Sequence, residues 1–156
     1  MLTKPSDKRP LNRKILITGY FGRGNLGDNL MADALFAALS DKPTFSVKLS
    51  PLPSPTFSAT RPFLAELSKV DWLVLAGGSH FHDSHSLRSA RVVAQFLATF
   101  LFARAFDVKI AAASIGIGPF RSQFVKHLAA AALRLCSFIS VRDRRSLAWA
   151  DALRVS

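Results

Sequence analysis

Lys14-Ile-Leu-Ile-Thr-Gly-Tyr-Phe-Gly-Arg-Gly-Asn-Leu-Gly-Asp28-Asn29 decides the fold: an apolar, β-branched run, then a glycine-laden loop closed by Asn and Asp, then the start of an amphipathic helix. A buried strand that turns through glycines into a helix makes an anion-binding corner. The backbone N–H groups of the loop approach a ligand closely, and the helix amino end adds partial positive charge. Asp28 or Asn29 is expected to cap that helix. Gly22, Arg23, Gly24, Asn25, Gly27 and Asn29 are the candidate ligand contacts of this corner, and Asp28 its candidate acid or base.

The pattern recurs twice. Asp71-Trp-Leu-Val-Leu-Ala-Gly77-Gly78-Ser79 and Lys109-Ile-Ala-Ala-Ala-Ser-Ile-Gly116-Ile-Gly118-Pro119 are also buried-type strands that run into glycines. In open parallel sheets ligands bind outside the carboxyl ends of the strands, so several glycine tips at one edge mark a shared cleft. Between them the spacing predicts helices over 29–40, 63–69, 87–105, 123–135 and 144–153, with strands over 45–49 and 138–141 and the start of another over 154–156. Pro51, Pro53, Pro55 and Pro62 are expected to hold a loop free of regular helix. Strict alternation of strand and helix builds right-handed βαβ units. The expected class is therefore α/β, a Rossmann-like parallel sheet with helices on both faces, its four strands near residues 15, 73, 110 and 138 neighbouring and buried.

Four groups of residues occur in one order along most of the chain: Gly19-Tyr-Phe-Gly22 with Asn25-Leu-Gly27-Asp28, Leu75-Ala-Gly77-Gly78-Ser79 with Asp83, Gly116-Ile-Gly118-Pro119, and Ser140-Val-Arg142-Asp143 with Ser146. Taken together they resemble the polysaccharide pyruvyl transferase family. The chain differs from the usual family pattern at Asn29, where an acidic residue is common, and at His80-Phe-His82, where aliphatic residues are common. The resemblance implies the amino-terminal lobe of a two-lobed, glycosyltransferase-B-like architecture. It implies transfer of a pyruvyl group from phosphoenolpyruvate to two hydroxyls of a sugar in a cell-surface polysaccharide or its lipid-linked precursor. Such chemistry needs an acid for the enol carbon, a base for the hydroxyls and cations for phosphate and carboxylate. Asp28, Asp83, His80 and His82 are the candidate acid–base groups. Arg23 and Arg142 are the candidate cations, and Gly77, Gly78, Ser79, Gly116 and Gly118 line the expected substrate cleft. No cofactor beyond the donor substrate is implied. A sugar-nucleotide glycosyltransferase lobe and a non-catalytic binding remnant stand as alternatives, and the 156 residues alone are expected to be inactive.

Composition narrows the partners. Lys+Arg 21 against Asp+Glu 10 gives a formal net charge of +11, so the surface attracts anions, an anionic membrane face included. The phenylalanines fall on apolar helix faces, leaving no stacking platform, and nucleic acid is not an expected partner. The single Cys136, in an apolar setting, reads as a structural thiol in a reducing compartment. No signal-peptide pattern is visible, which favours a cytoplasmic location, at most peripheral to the inner face of a membrane. Residues 1–13 read as a flexible basic arm ahead of a domain over 14–156. Gly22-Arg-Gly24-Asn-Leu-Gly27 satisfies G-x-G-x-x-G, but Tyr20 and Phe21 separate it from the strand. The second strand ends Lys48-Leu-Ser50-Pro51 without the acid that would hold a ribose, which argues against a dinucleotide. His80, His82, Asp83 and His85 lie close in sequence, and His80-x-His82 can set two imidazoles on one side, but a third, spatially fixed ligand is not evident, so no metal is expected.

Overall fold

The computed structural model describes residues 12–53, 57–83 and 87–155. Five parallel strands, β1 (Arg13–Thr18), β2 (Phe45–Leu49), β3 (Trp72–Ala76), β4 (Lys109–Ile115) and β5 (Phe138–Val141), form one sheet in the order β2-β1-β3-β4-β5. Five helices connect and follow them: α1 (Leu26–Ser40), α2 (Phe57–Leu67), α3 (Leu87–Ala105), α4 (Gln123–Leu133) and α5 (Arg144–Leu153).

That order fixes which face each helix takes. The β1-to-β2 crossover runs toward one edge and the later crossovers run toward the other. Right-handed connections then place α1 on one face and the helices of the later crossovers on the opposite one. Side chains alternate accordingly along the strands. Ile15, Ile17, Val74, Ala76 and Ala111 cluster with Ala32 of α1. Leu16, Leu73, Leu75, Ile110 and Ala112 cluster with Phe63 and Leu67 of α2, with Val93, Phe96 and Phe100 of α3, and with residues of α4 and α5.

Three expectations need correction. Helix α2 starts at Phe57 and runs through Pro62. The proline's lost hydrogen bond costs about 3 kcal/mol, and burial of Phe63 and Leu67 against the sheet outweighs it. Strand β5 is not buried: Phe138 is exposed and Ile139 to Val141 are half-buried, because β5 is an edge strand and, among the described residues, no helix covers its α1 side. Arg154 does not begin another strand; it closes α5 in the left-handed conformation with φ 54°. Of the expected amino-terminal arm, residues 1–11 lie outside the described part, and Arg13 opens β1 with its N–H on the Thr44 carbonyl.

By sequence, Val92, Val93, Phe96, Leu97, Phe100 and Leu101 of α3 form one wide apolar stripe, and the structure buries only part of it. Phe96 is fully buried, with its ring 5.2 Å from His80, 5.5 Å from Phe81 and 6.1 Å from Phe100, whereas Leu101 is 53% exposed. Phe96→Ala is therefore expected to lower unfolding free energy by about 3–5 kcal/mol. Leu101→Ala should cost less than about 1 kcal/mol. Urea denaturation of the two variants checks the contrast.

Candidate functional site

The neighbours β1 and β3 lead on in opposite directions across the sheet, and their carboxyl ends open a crevice of the kind in which such sheets bind ligands. A cleft of about 700 Å³ lies there, lined by Tyr20, Arg23, Asn25, Gly27 and Asp28 after β1, by Gly78, Ser79, His80 and His82 after β3, and by Met31, Arg88, Val92, Ser114 and Arg142.

The loop after β1 is organised by its asparagines. Asn25, not Asp28 or Asn29, is the cap of α1: its Oδ1 accepts the Gly27 N–H at 3.1 Å and its carbonyl accepts the Asn29 N–H. The helix therefore begins three residues earlier than expected. Asn25 Nδ2 also donates to Asp28 Oδ2 at 2.9 Å, and Asn29 Oδ1 accepts the Gly22 N–H at 2.7 Å. Two of the loop's N–H groups thus serve the loop itself. The first turn of α1 keeps its partial positive charge beside the cleft. Arg23 is fixed twice: its guanidinium donates to the Leu52 carbonyl at 2.7 Å and lies 4.7 Å from the centre of the Tyr20 ring.

The loop after β3 places the histidines unequally. His80 is buried between Tyr20, 5.2 Å away between ring centres, and Phe96, with Nε2 lacking any hydrogen-bond partner. Burial lowers its pKa to about 4, against the opposing pulls of the Asp28 charge and of hydrogen bonds with the backbone of Ala76 and Gly77. His80 is therefore a neutral imidazole near pH 7. His82 is half-buried; its Nδ1 donates to the Ser79 carbonyl, which can only accept, and this leaves Nε2 as a basic lone pair. Gly78 makes this packing possible. It has φ +81°, and a Cβ there would stand 2.5 Å from the His80 ring and 2.9 Å from Asp28 Oδ1.

The far wall is held by residues of the fourth sequence group. Ser140 Oγ accepts the Ser114 N–H at 2.9 Å, and the buried Ser146 Oγ accepts the Ile117 N–H at 3.0 Å. Asp143 caps α5 through the Ser146 N–H at 2.7 Å and receives Arg142 Nε at 3.1 Å. The hydrogen bonds from Ser146 lead in holding its carboxyl below the ordinary aspartate range. Ser114, a non-glycine residue at φ 54° beside a register shift between β4 and β5, turns this strand tip into the cleft.

The cleft gathers Asp28, His80, His82, Arg23, Asn25, Gly27, Gly78, Ser79 and Arg142 from the sequence-predicted set. Asp83 is not among its lining residues. That carboxylate is buried and accepts the Ser122 N–H at 2.7 Å, so it ties the loop after β3 to the start of α4. Gly22, Gly24, Asn29, Gly77, Gly116 and Gly118 shape the surrounding turns without lining the cleft. Sequence reasoning missed Tyr20, whose hydroxyl pKa is raised by burial, and Arg88 in the first turn of α3. Arg88 carried no motif signal, because a helix of apolar periodicity gives no cue to which of its flanking cations faces a loop.

Cys136 is half-buried and burial pushes its thiol up to about 12, which makes it unreactive. His127 is exposed. Among the described residues no group of three His, Cys, Asp or Glu side chains is placed to hold a metal, and His85 lies outside them.

His80 couples the site to stability. Its pKa falls from 6.5 in the unfolded chain to about 4 in the fold, so between those values the unfolded state binds more protons and stability drops as pH falls. The contribution is fully present above pH 6.5 and on the order of 3 kcal/mol is lost by pH 4. In His80→Phe that part of the decline should vanish, whatever the variant's absolute stability. Denaturant titrations of both proteins across this pH window measure the difference in slope.

The family comparison agrees with this geometry. A family model described as Polysaccharide pyruvyl transferase matches residues 25–156, which include the β3 and β4 tips and the Arg142–Ser146 segment. No curated protein matches the chain. With the glycine-tipped sheet edge, the arginine-lined cleft and the match over most of its length, the chain belongs to the polysaccharide pyruvyl transferase family.

Proposed function

We propose that this cleft binds phosphoenolpyruvate beside two hydroxyls of a saccharide acceptor and takes part in forming a pyruvate ketal on a polysaccharide or its lipid-linked precursor. The observation that carries the reading is the charge of the cleft: among the described residues Arg23, Arg88 and Arg142 line it against one carboxylate, Asp28. Guanidinium groups bind phosphate and carboxylate through paired, charge-assisted hydrogen bonds, and phosphoenolpyruvate offers both anions.

The step transfers a proton to the methylene carbon of the donor and forms a C–O bond from the first sugar hydroxyl to the adjacent carbon. The second hydroxyl then displaces phosphate at that same carbon. One hydroxyl proton balances the new methyl group and the other leaves with phosphate. His82 suits the base, because its Nδ1 is engaged by the Ser79 carbonyl and its Nε2 is left to accept a proton. Asp28, hydrogen-bonded by Asn25, supplies the second proton-transfer group. His80, held neutral, shapes the wall on which Asp28 and Gly78 meet.

In this reading the lobe faces a second lobe that completes donor and acceptor sites. The +11 charge supports work at an anionic membrane face on the cytoplasmic side. Among the described residues no helix is long and apolar enough to cross a membrane.

Calorimetric titration with phosphoenolpyruvate tests the site. Arg88→Ala should weaken binding by roughly tenfold to a hundredfold, the worth of one hydrogen bond to a charged group. Preference for a sugar nucleotide over phosphoenolpyruvate would overturn the reading in favour of glycosyl transfer. The 156 residues by themselves are expected to release no phosphate from phosphoenolpyruvate and a sugar acceptor. Half of an interlobe cleft cannot supply the roughly 7–11 kcal/mol that orientation contributes. A phosphate-release assay with detectable turnover would refute the need for a second lobe.

A further inference from the structure

Helix α1 is apolar nearly all round, yet of its residues only Ala32 is buried. Ala32, Leu35, Phe36 and Leu39 face the sheet cluster, so by helical periodicity the outward side carries Leu26, Leu30, Ala34 and Ala37. Leu26 is 70% and Leu30 59% exposed. Helices with apolar residues on every side are buried in finished structures. The acidic residues of this region, Asp28, Asp33 and Asp41, have no basic neighbour between Leu26 and Asp41, in a chain where bases outnumber acids 21 to 10.

Beside this ridge runs a valley. A groove of about 450 Å³ runs across the α1 side of the sheet from Ile15 and Phe45 to the exposed Phe138 of β5, floored by Trp72, Ala113 and the already buried Val74 and Ala111 and walled by Leu35 and Leu39 of α1. It carries two cations, Arg13 and Lys109, the latter 5.6 Å from the centre of the Trp72 ring. Three strands span two interstrand spacings, about 10 Å, which is the diameter of one helix. Ala111 and Ala113 along the middle let a helix approach closely.

We propose that this face is the interface of a homodimer, in which α1 of each copy seats in the β3–β5 groove of the other. Ridge and valley adjoin on one molecule, so a two-fold axis satisfies both at once and the assembly closes at two copies. The apolar ridge, with Asp33 and Asp41 beside it, meets an apolar floor that carries Arg13 and Lys109 at the amino ends of its strands. The proposal is independent of the chemistry assigned to the cleft.

Sedimentation equilibrium on the purified chain tests it, with dimers expected that dissociate on dilution. Leu30→Lys on the ridge and Phe138→Lys in the groove each alter an exposed side chain, so circular dichroism should be unchanged while dimerisation weakens by roughly tenfold or more. Mixing the two variants should restore part of the association, because the mixed dimer keeps one unaltered ridge in one unaltered groove. A chain that stays monomeric, one that forms open-ended oligomers, or a dimer indifferent to either substitution would overturn the proposal. A dimer broken by Leu30→Lys but untouched by Phe138→Lys would do so too, since ridge would then meet ridge.

Discussion

The close approach of two chain segments at Gly78 is the constraint on which the site depends. Its left-handed backbone and missing side chain let the His80 ring and the Asp28 carboxylate meet over the same α-carbon. Any side chain there would have to push apart the loop after β1 and the loop after β3, the two walls of the crevice. Because His80 also stacks between Tyr20 and Phe96, a shift at this point is passed to the middle of α3 and to the ring that carries Arg23. The cleft is thus continuous with the hydrophobic core and inherits its rigidity.

Polar side chains perform the complementary task of fixing the strand tips. Asn25 and Asn29 hold the first loop, Asp83 ties the second to α4, and Ser140 and Ser146 hold the third. Each satisfies a backbone N–H that the glycine-rich turns would otherwise leave without a partner. The motif residues of the chain therefore divide into two kinds. Some present chemistry to the cleft, as Asp28, His82, Arg23 and Arg142 do. Others, such as Asp83, Ser140 and Ser146, serve the backbone that presents it.

The two faces of the sheet differ in completeness. One carries the larger core, built with α2, α3, α4 and α5. The other has one helix, α1, which packs on β1, β2 and β3, and among the described residues Trp72, Ala113 and Phe138 toward the β5 edge stay partly or largely exposed, although parallel sheets are stable chiefly when both faces are covered. That asymmetry explains why β5 is half-exposed, and among the described residues Leu26 and Leu30 on the outward side of α1 stay largely exposed.

The sequence by itself determined the alternation of strands and helices, the parallel sheet, the glycine tips at one edge and the family. All of these follow from local periodicity, turn chemistry and the order of motifs along the chain. It also placed β2, α3, β5 and α5 at their observed bounds. Tertiary structure alone decided the rest. The passage of α2 through Pro62, the exposure of Leu101 and Phe138, the capping by Asn25, the withdrawal of Asp83 from the cleft and the entry of Tyr20 and Arg88 into it depend on which elements pack together. Periodicity states which side of an element is apolar. Whether a neighbour arrives to cover that side, and which loop a flanking charge then faces, is fixed by contacts between residues far apart in the chain, and no local pattern encodes them.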